Sequence, residues 1–447
     1  MMKSRVFVIL GAFGLVAALA GCSGTAGPSS ADSVPADETT DGSSIASDDA
    51  QVSDTGDAAA STCTEEIGTL EMWVDDSRVA ALAGAVAAFK DEQCVTVNLV
   101  RKNFDDLRAD FLSQVAAGEG PDITIGANDW LGEFKANGVI APIDISAVSS
   151  ELTPAAVHAY TSEGQTYGVP YAMENIGLVR NNALVSETNA TTFDELIAEA
   201  KAVGTDYTIL VQVGDKGDAF HMYPIQSSFG APIFETDPGG DYTSTLGMAG
   251  DGGHAFAEYI AKLGSQGVLS VDINDSVAKD QFKAGKAPYI ITGPWNTSGD
   301  ESFLDAGMDI TVLPIPSAGG QSAAPFLGVQ GFYLSAKSEN TLLAQMFLVD
   351  YLTRADVQLD LFKAGGRRPA SEEAQADPVI ANDPIMAGFA AAAADAQVQP
   401  GIPAMNQVWV PLGQEQADLI SGKASDPAGT WDEMITNIAD AIAKSAQ

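Results

Sequence analysis

From residue 68 onward, short continuous apolar runs alternate with longer segments in which apolar residues recur at helical spacing. The runs Leu70–Val74, Val95–Val100 and Asp122–Ile125 are typical of buried strands. The segments between them, Val79–Asp91 and residues 104–115, carry apolar residues along one side and predict helices. This strand–helix order is typical of parallel βαβ units, so we predict an α/β fold.

The same rhythm continues through the rest of the chain. Thr192 and Glu195 form a capping-box pattern, which predicts a helix reaching about Ala202. Further predicted elements are a strand at Thr208–Val213, helices at Phe256–Leu263, Ala278–Lys286 and Leu342–Leu352, and a terminal helix with the apolar stripe Trp431, Met434, Ile435, Ile438 and Ile442. The roughly 385 residues from Cys63 onward exceed what one core usually serves, so we expect two lobes.

The stretch Tyr289–Thr292 predicts an interior strand that runs directly into Gly293 and Pro294. Because proline cannot donate a hydrogen bond to a sheet, the strand is expected to end there. Trp295 follows at once, at the end of a strand, where clefts open in α/β proteins. A tryptophan in this place either lines a cleft or caps a core, and the stretch alone leaves both open.

The N-terminus has the layout of a bacterial export signal. Two basic residues precede an apolar run from Val6 to Ala20, which is shorter than the roughly 20 residues of a transmembrane helix. Leu19-Ala20-Gly21-Cys22 resembles the lipobox of bacterial lipoproteins. That resemblance implies a signal peptide at residues 1–21 and a lipid anchor at Cys22. A secreted protein with a chance cysteine is the alternative.

Residues 22–62 are predicted to be a disordered spacer after the lipidated cysteine. They are rich in Ser, Thr, Gly, Ala and acidic residues and contain no aromatic residue. Such a segment cannot bury enough apolar surface to offset its chain entropy. We therefore expect a folded domain held off the extracellular face of the cytoplasmic membrane. The lipobox and the Ala-rich, acidic composition indicate a Gram-positive host.

The formal charge of −38 narrows the classes of partner. With 22 Lys and Arg against 60 Asp and Glu, the chain lacks the cations that neutralise phosphates, so nucleic acid is excluded as a partner. The charge is compatible with a soluble exported protein and a neutral ligand. The three histidines lack the spacing of metal ligands, and no cofactor is expected.

Two cysteines remain once Cys22 is assigned to the lipid. Cys63 and Cys94 each precede a predicted strand, and an exported chain matures in an oxidising compartment. If the two strands are parallel neighbours, both cysteines lie at the same sheet edge and we predict a disulfide between them. Two free thiols are the alternative.

The chain from about Gly68 onward resembles the extracellular, periplasmic-type solute-binding proteins of sugar uptake, and within them the maltose and maltodextrin binding proteins. The matching segments keep one order over nearly 350 residues: Gly68–Trp73, Gln114–Ala117, Gly120–Ile123 with Asn128 and Asp129, Gly168–Glu174, Ala284–Lys286 with Thr292–Trp295, Phe326–Val329, and Pro400–Met405 with Trp409. Each match alone is weak, whereas the ordered set is specific.

The resemblance implies two α/β lobes joined by a hinge, with a ligand cleft between them that closes on binding. It implies one lobe from residues 64–172 plus 332–378 and the other from residues 173–331 plus 379–447. It also implies a monomer that delivers its sugar to the permease of an ABC importer and performs no chemistry itself.

Sugar chemistry explains which residues such a cleft needs. Aromatic rings stack on the apolar face of a sugar, and carboxylates and amides bind its hydroxyl groups. Carried over by position, the resemblance assigns ligand contact to Asp76, Ser77, Arg78, Asp129, Trp130, Glu174, Asp218, Phe220, Trp295 and Trp409. Each carboxylate could instead be a helix cap or a surface acid. Trp73 and Trp431 are expected to be structural.

Several departures leave the identity of the sugar open. Gly126 stands where the family has a stacking tryptophan, and Trp130 stands where it has an arginine, so the stacking ring is expected to have moved. Val410 and Gly413 replace a tyrosine and an arginine near Trp409. The ligand could be maltose, a maltodextrin, another α-glucoside or a galactoside.

Other classes of function stay open at this point. Paired carboxylates in an aromatic cleft also occur in glycosidases, although the chain shows no run of eight βα units. A chemoreceptor partner or adhesin could use the same fold without transport. Within the binding class, iron would favour Tyr and His in the cleft, and a polyamine would favour acids with fewer tryptophans.

Overall fold

The computed structural model describes residue 63 and residues 65–445. The predicted signal peptide, the lipid-anchor Cys22 and the acidic spacer up to residue 62 lie outside the described residues. In the described part of the chain, no helix is both long enough and apolar enough to cross a bilayer.

Strands and helices alternate through the described chain. The strands are β1 (Gly68–Val74), β2 (Val95–Arg101), β3 (Ile123–Ala127), β4 (Ile140–Ala141), β5 (Thr161–Ser162), β6 (Gln165–Thr166), β7 (Gly168–Glu174), β8 (Gly177–Asn181), β9 (Leu210–Val211), β10 (Phe234–Thr236), β11 (Tyr242–Leu246), β12 (Tyr289–Thr292), β13 (Ile310–Leu313), β14 (Phe326–Ser335), β15 (Arg368–Pro369) and β16 (Gln397–Val398).

The helices are α1 (Asp76–Gln93), α2 (Phe104–Ala117), α3 (Leu131–Ala136), α4 (Pro154–Ala159), α5 (Phe193–Val203), α6 (Ala219–Ser227), α7 (Asp251–Ser265), α8 (Asp275–Lys283), α9 (Pro294–Thr297), α10 (Thr341–Met346), α11 (Ala355–Gly365), α12 (Glu372–Gln375), α13 (Pro378–Ala381), α14 (Pro384–Ala392), α15 (Trp409–Ile420) and α16 (Pro427–Ser445). Short 3-10 turns lie at Asn128–Trp130, Ser149–Glu151 and Pro403–Gln407.

The first lobe is built on the larger sheet, in the order β15-β7-β14-β3-β1-β2, with β4 and β16 also pairing with β14. Strand β1 lies parallel to both β2 and β3, which confirms the predicted βα rhythm. The strands bury Leu70, Met72 and Ile123 completely, and α1 and α2 add Phe89 and Phe111 to the same core. Apolar residues at helical spacing therefore cover the sheet as predicted.

The second lobe is built on the four-stranded sheet β13-β8-β12-β9. Strand β12 has the predicted bounds and lies in the interior, antiparallel to β8 and parallel to β9. Tyr289 and Ile291 pack into a hydrophobic core on one face of the sheet, and Ile290 packs into a second core on the other face. Both faces of this sheet are therefore covered, which explains the continuous apolar run.

Strand β14 joins the cores of the two lobes. It begins at Phe326 in the core of the second lobe, and its residues Val329 and Phe332 lie in the core of the first. It runs antiparallel to β7, with Glu174 opposite Gly328. The molecule is thus a two-lobe α/β fold in which paired strands pass from one lobe to the other.

Two predicted elements differ in detail, and a third is confirmed. The strand expected at Thr208–Val213 is reduced to β9, because only Leu210 and Val211 pair with β12. The helix expected at Leu342–Leu352 is α10 followed by a π-helical turn at Phe347–Tyr351. The capping box at Thr192 is formed, and it opens α5 as predicted.

Cys63 and Cys94 are joined by a disulfide with a Cα–Cα distance of 5.2 Å. Cys94 lies immediately before β2, and Ile67, immediately before β1, donates its backbone N–H to the carbonyl of Cys94. The parallel pairing of β1 and β2 brings the two cysteines to one edge of the sheet. The bridge therefore ties the start of the described chain to the first βαβ unit.

Candidate functional site between the lobes

A row of four aromatic rings runs through the second lobe beside the crossing strands. The ring centroids lie 6.3 Å apart for Trp409 and Phe326, 6.4 Å for Phe326 and Phe220, and 6.4 Å for Phe220 and Trp295. Phe326 is 1% exposed, whereas the other three rings are partly exposed. We call these four residues, together with Asp129, Glu174, Asp218, His221 and Arg367, the interlobe cluster.

Trp295 is placed by the end of β12. The strand stops at Thr292, and Pro294 opens the single turn of α9. The Trp295 ring lies so close to Gly293 that a Cβ at that position would be 2.1 Å from ring carbon Cζ3. Glycine at position 293 therefore lets the indole ring lie close against the backbone.

Asp129 and Trp409 face each other from opposite lobes. The indole Nε1 of Trp409 donates a hydrogen bond of 3.2 Å to Oδ2 of Asp129, whose side chain is nearly buried. Burial raises the pKa of Asp129 to about 6, although the nearby Arg108 and the Trp409 bond oppose the shift. Arg108 also donates to Asn406, a second contact between the lobes.

Glu174 lies at the end of β7, where the chain passes towards the second lobe. It accepts hydrogen bonds from Nε2 of Gln330 at 2.7 Å and from Nε of Arg367 at 2.5 Å. The side chains of Glu174 and Arg367 are only 9% and 15% exposed, so this ion pair is largely withdrawn from water. The guanidinium carbon of Arg367 lies 5.7 Å from the centroid of the Trp295 ring.

Asp218 is the N-cap of α6 and also binds a histidine. It accepts one hydrogen bond from the backbone N–H of His221 and pairs with the ring Nδ1 of the same residue, both at 2.9 Å. Burial disfavours both charges. The attraction between the two groups outweighs it, so the pKa of Asp218 is lowered and that of His221 is raised.

Arg78, which the resemblance assigned to ligand contact, is held by other side chains of the first lobe. It pairs with Asp75 and donates to the hydroxyl group of Tyr171, and its guanidinium also lies near the ring of Phe104. Asp76, which was assigned to ligand contact as well, is solvent-exposed and pairs with Arg101. Because Asp75 precedes α1 by one residue, its side chain reaches back to Arg78 in the first turn.

Ser77 is exposed and donates to Asp75, so the structure does not bring Ser77 or Asp76 into the interlobe cluster. Arg78 lies at its edge, because Tyr171 lies near both Arg367 and Glu174. One guanidinium nitrogen of Arg78, NH2, is buried without a hydrogen-bond partner among the described residues.

Trp130 is buried rather than open to a cleft. It is 7% exposed and packs against Phe104 and Phe134 at ring distances of 5.3 and 5.8 Å. A Cβ at Gly126 would lie 2.5 Å from its ring, so Trp130 fills the space that a side chain at position 126 would take. Trp130 was expected to supply a displaced stacking ring, but the structure places this ring in the core of the first lobe.

Sequence analysis missed His221, Arg367 and Phe326 as members of the interlobe cluster. His221 lies next to Phe220 and three residues after Asp218, a spacing that brings the two side chains together at the start of a helix. Arg367 follows two glycines after α11, which marks a loop but does not reveal its partner. Its pairing with Glu174 joins residues 193 positions apart.

One cavity lies apart from these residues. It has a volume of about 910 Å³ and is lined from the first lobe by Lys135 and His158 and from the second by Asp241 and Gln399. A smaller cavity of about 220 Å³ reaches Glu174. We place the candidate site at the interlobe cluster, because charge, aromatic rings and buried polar groups meet there. No group of three or more metal-ligating side chains occurs among the described residues.

Comparisons with known proteins agree on one family. A model of the family described as bacterial extracellular solute-binding protein matches residues 84–388. The galactooligosaccharide-binding protein of Bacillus subtilis (strain 168) is 29% identical over 380 residues, covering 81% of this chain and 87% of that protein. The maltotriose-binding protein of Pyrococcus abyssi (strain GE5 / Orsay) is 29% identical over 326 residues, covering 71% and 69%.

The solved structure of Thermus thermophilus maltotriose binding protein bound with maltotriose has the same fold. It gives a TM-score of 0.75 at 27% identity and covers 83% of this chain and 100% of that chain. The likeness therefore extends over the whole of that structure and over both lobes described above.

Proposed function

Because the chain belongs to the family of bacterial extracellular solute-binding proteins, we propose that it captures an oligosaccharide between its lobes and delivers it to a membrane importer. The observation that carries this proposal is the interlobe cluster. Its row of aromatic rings offers stacking faces, and its buried acids and amides offer hydrogen-bond partners for hydroxyl groups.

A neutral, extended ligand suits this arrangement. Glu174 and Asp218 already have cationic partners in Arg367 and His221, so a strongly charged ligand would have to break an existing pair. Three rings of the row, Phe220, Trp295 and Trp409, are partly exposed, which favours a ligand of several sugar units over a monosaccharide.

We propose a maltodextrin or a galactooligosaccharide as the ligand. The similar proteins of Pyrococcus abyssi and Bacillus subtilis are named for maltotriose and galactooligosaccharide, respectively. Both are neutral oligosaccharides. The buried Trp130 ring fills the space beside Gly126 and offers no open stacking face on the first-lobe side of the site. We propose that selectivity between the two sugars arises on this side.

The remaining parts of the proposal follow from the sequence and the family. The lobes are residues 64–172 plus 332–378 and residues 173–331 plus 379–447, and the paired strands β7 and β14 act as the hinge. Ligand binding closes the lobes, and the closed form docks on an ABC permease. Cys22 anchors the protein to the outer face of the cytoplasmic membrane, and residues 23–62 act as its tether.

Isothermal titration calorimetry of the purified protein tests this function. We expect saturable binding of maltotriose or of a galactooligosaccharide, and no binding of glucose or spermidine. Chromatography of the same samples should recover the sugar intact, because a binding protein does not hydrolyse it. A folded protein that binds neither oligosaccharide, or one that cleaves either, would overturn the proposal.

A further inference from the structure

Trp295 lies against two cationic side chains, and each of them is paired with a carboxylate. The guanidinium carbon of Arg367 lies 5.7 Å from the centroid of the indole ring, and Arg367 is paired with Glu174. The ring of His221 lies at 6.1 Å, at an interplanar angle of 89°, and His221 is paired with Asp218. Glu174 and Asp218 were both predicted to bind the ligand directly.

The His221 ring is fixed on one side and unsatisfied on the other. Its Nδ1 pairs with Asp218, and the same carboxylate caps α6 through the backbone N–H of His221, so the imidazole has one orientation. Its Nε2 is buried without a hydrogen-bond partner among the described residues. His221 is 5% exposed, whereas the other two histidines pair with Asp241 and Asp432 and have more accessible side chains.

We propose that His221 is a positioning residue for Trp295, and that its protonated ring holds the indole in the orientation that binds ligand. The 89° interplanar angle fits an imidazole directed edge-on at the indole face. A cation over the face of an indole is attracted by the ring quadrupole, and this attraction is stronger where water is excluded. The neutral imidazole retains the packing contact but loses the charge. Trp295 then has a weaker constraint on this side.

The charges around His221 determine when it is protonated. Asp218 caps α6, the helix that carries His221, and Asp275 lies at the start of α8. The ion pair of Arg367 and Glu174 lies beside Trp295. Burial opposes the charged ring, but attraction to Asp218 and Asp275 raises the pKa of His221 above its ordinary value. The cation is therefore lost at a higher pH than that of an ordinary imidazole, as the pH rises through the raised pKa.

The expected change in ligand affinity rests on the proposed function, whereas the expected change in the emission of Trp295 does not. Loss of the proton should weaken ligand binding by about tenfold, within the range expected for a desolvated cation–π contact. A protonated imidazole also quenches indole emission more than a neutral one. The emission of the ligand-free protein should therefore increase as His221 loses its proton.

The test uses the full chain and three variants. His221→Asn keeps an amide that can donate to Asp218 and removes the charge. Trp295→Phe identifies the emission of Trp295. His254→Gln is the matched control, since His254 also pairs with a carboxylate, at 2.7 Å from Asp432, outside the interlobe cluster. Circular dichroism at each pH verifies that all four proteins are folded.

We expect a step in emission as the pH rises above 6.5 and through the raised pKa of His221 in the wild type and in His254→Gln, and no step in His221→Asn or Trp295→Phe. A step that persists in His221→Asn, or no step in the wild type, would overturn the inference. The dissociation constant for maltotriose or galactooligosaccharide should rise about tenfold across the same step, and it should be flat and equal to the high-pH value in His221→Asn.

An identical pH profile in His221→Asn and wild type would also overturn the inference. A wild type that binds neither sugar at any pH contradicts the proposed function instead. The emission step in the ligand-free protein still decides the role of His221 in that case.

Discussion

The indole Nε1 of Trp409 lies 3.2 Å from Oδ2 of Asp129, although the two residues are 280 positions apart and belong to different lobes. The contact joins a partly exposed ring to a nearly buried carboxyl group. Both residues are candidates for ligand contact. A sugar that hydrogen-bonds to Asp129, as proposed, would share this carboxyl group with Trp409 and so would act on a contact between the lobes.

The stability of the protein should increase as the pH falls through 6, because burial raises the pKa of Asp129 to about 6. Between about pH 6 and pH 4, the carboxyl group of Asp129 is protonated in the folded state and ionised in the unfolded state, so protonation favours folding. Asp129→Asn should be more stable than the wild type at pH 8, by up to about 3 kcal/mol, with the difference vanishing near pH 4. Urea unfolding at several pH values measures this.

Asp215→Asn is the control for that experiment, because Asp215 is exposed in a loop and its replacement should change stability by less than about 0.5 kcal/mol. If Asp129→Asn were less stable than the wild type at pH 8, the ionised carboxylate would be a stabilising group and the account of its burial would be wrong.

Breaking the pair between Glu174 and Arg367 should be costly. Glu174→Gln leaves a nearly buried guanidinium without its carboxylate beside Trp295, and we expect a loss of about 3–5 kcal/mol in the free energy of unfolding. Asp356→Asn removes one partner of an exposed pair with Arg354 and should cost at most about 1 kcal/mol. Equal losses in the free energy of unfolding for Glu174→Gln and Asp356→Asn would contradict the description of Glu174 and Arg367 as a buried ion pair.

Replacing Gly293 should disturb ligand binding through Trp295. A methyl group at this position would lie 2.1 Å from the ring, so Gly293→Ala must displace the partly exposed indole. We expect the affinity for the oligosaccharide to fall by about tenfold or more. Gly84→Ala is the matched control, because a Cβ there meets nothing within 4 Å. Titration calorimetry on both variants distinguishes displacement of the ring from a general effect of alanine.

Removing the disulfide should lower stability without changing the site. The bridge closes a loop of 31 residues, and replacing Cys63 and Cys94 with serine should cost about 4 kcal/mol in the chain-entropy view. The dissociation constant for the ligand should change less than about twofold, since the bridge lies at the edge of the first lobe. An unchanged unfolding midpoint would show that the bridge contributes nothing.

Local patterns in the sequence predicted the elements that depend on local physics. The apolar runs at β1, β2 and β12, the capping box at Thr192 and the proline after Gly293 each act within a few residues, and the structure confirms them. The predicted pairing of the first strands also brought Cys63 to Cys94. Such features require no knowledge of distant side chains.

The pairings inside the interlobe cluster could not be predicted in the same way. Asp218 and Glu174 were recognised as important acids, but their partners depend on rotamers and on chain segments that meet only in the folded protein. Arg367 reaches Glu174 across 193 positions, and Trp130 occupies space left by Gly126 after β3 has folded. Periodicity reports which face of an element is buried and does not report what that face meets.

We expect an oligosaccharide to stack on Trp295 and Trp409 between the lobes. Intrinsic fluorescence of the purified protein, titrated with maltotriose and with a galactooligosaccharide, measures this stacking. Wild type and the control Trp73→Phe, which alters a ring only 2% exposed, should show the same saturable change in emission for at least one sugar. The double variant Trp295→Phe and Trp409→Phe should lose that change. An unaltered response in the double variant would place the ligand elsewhere and contradict the account.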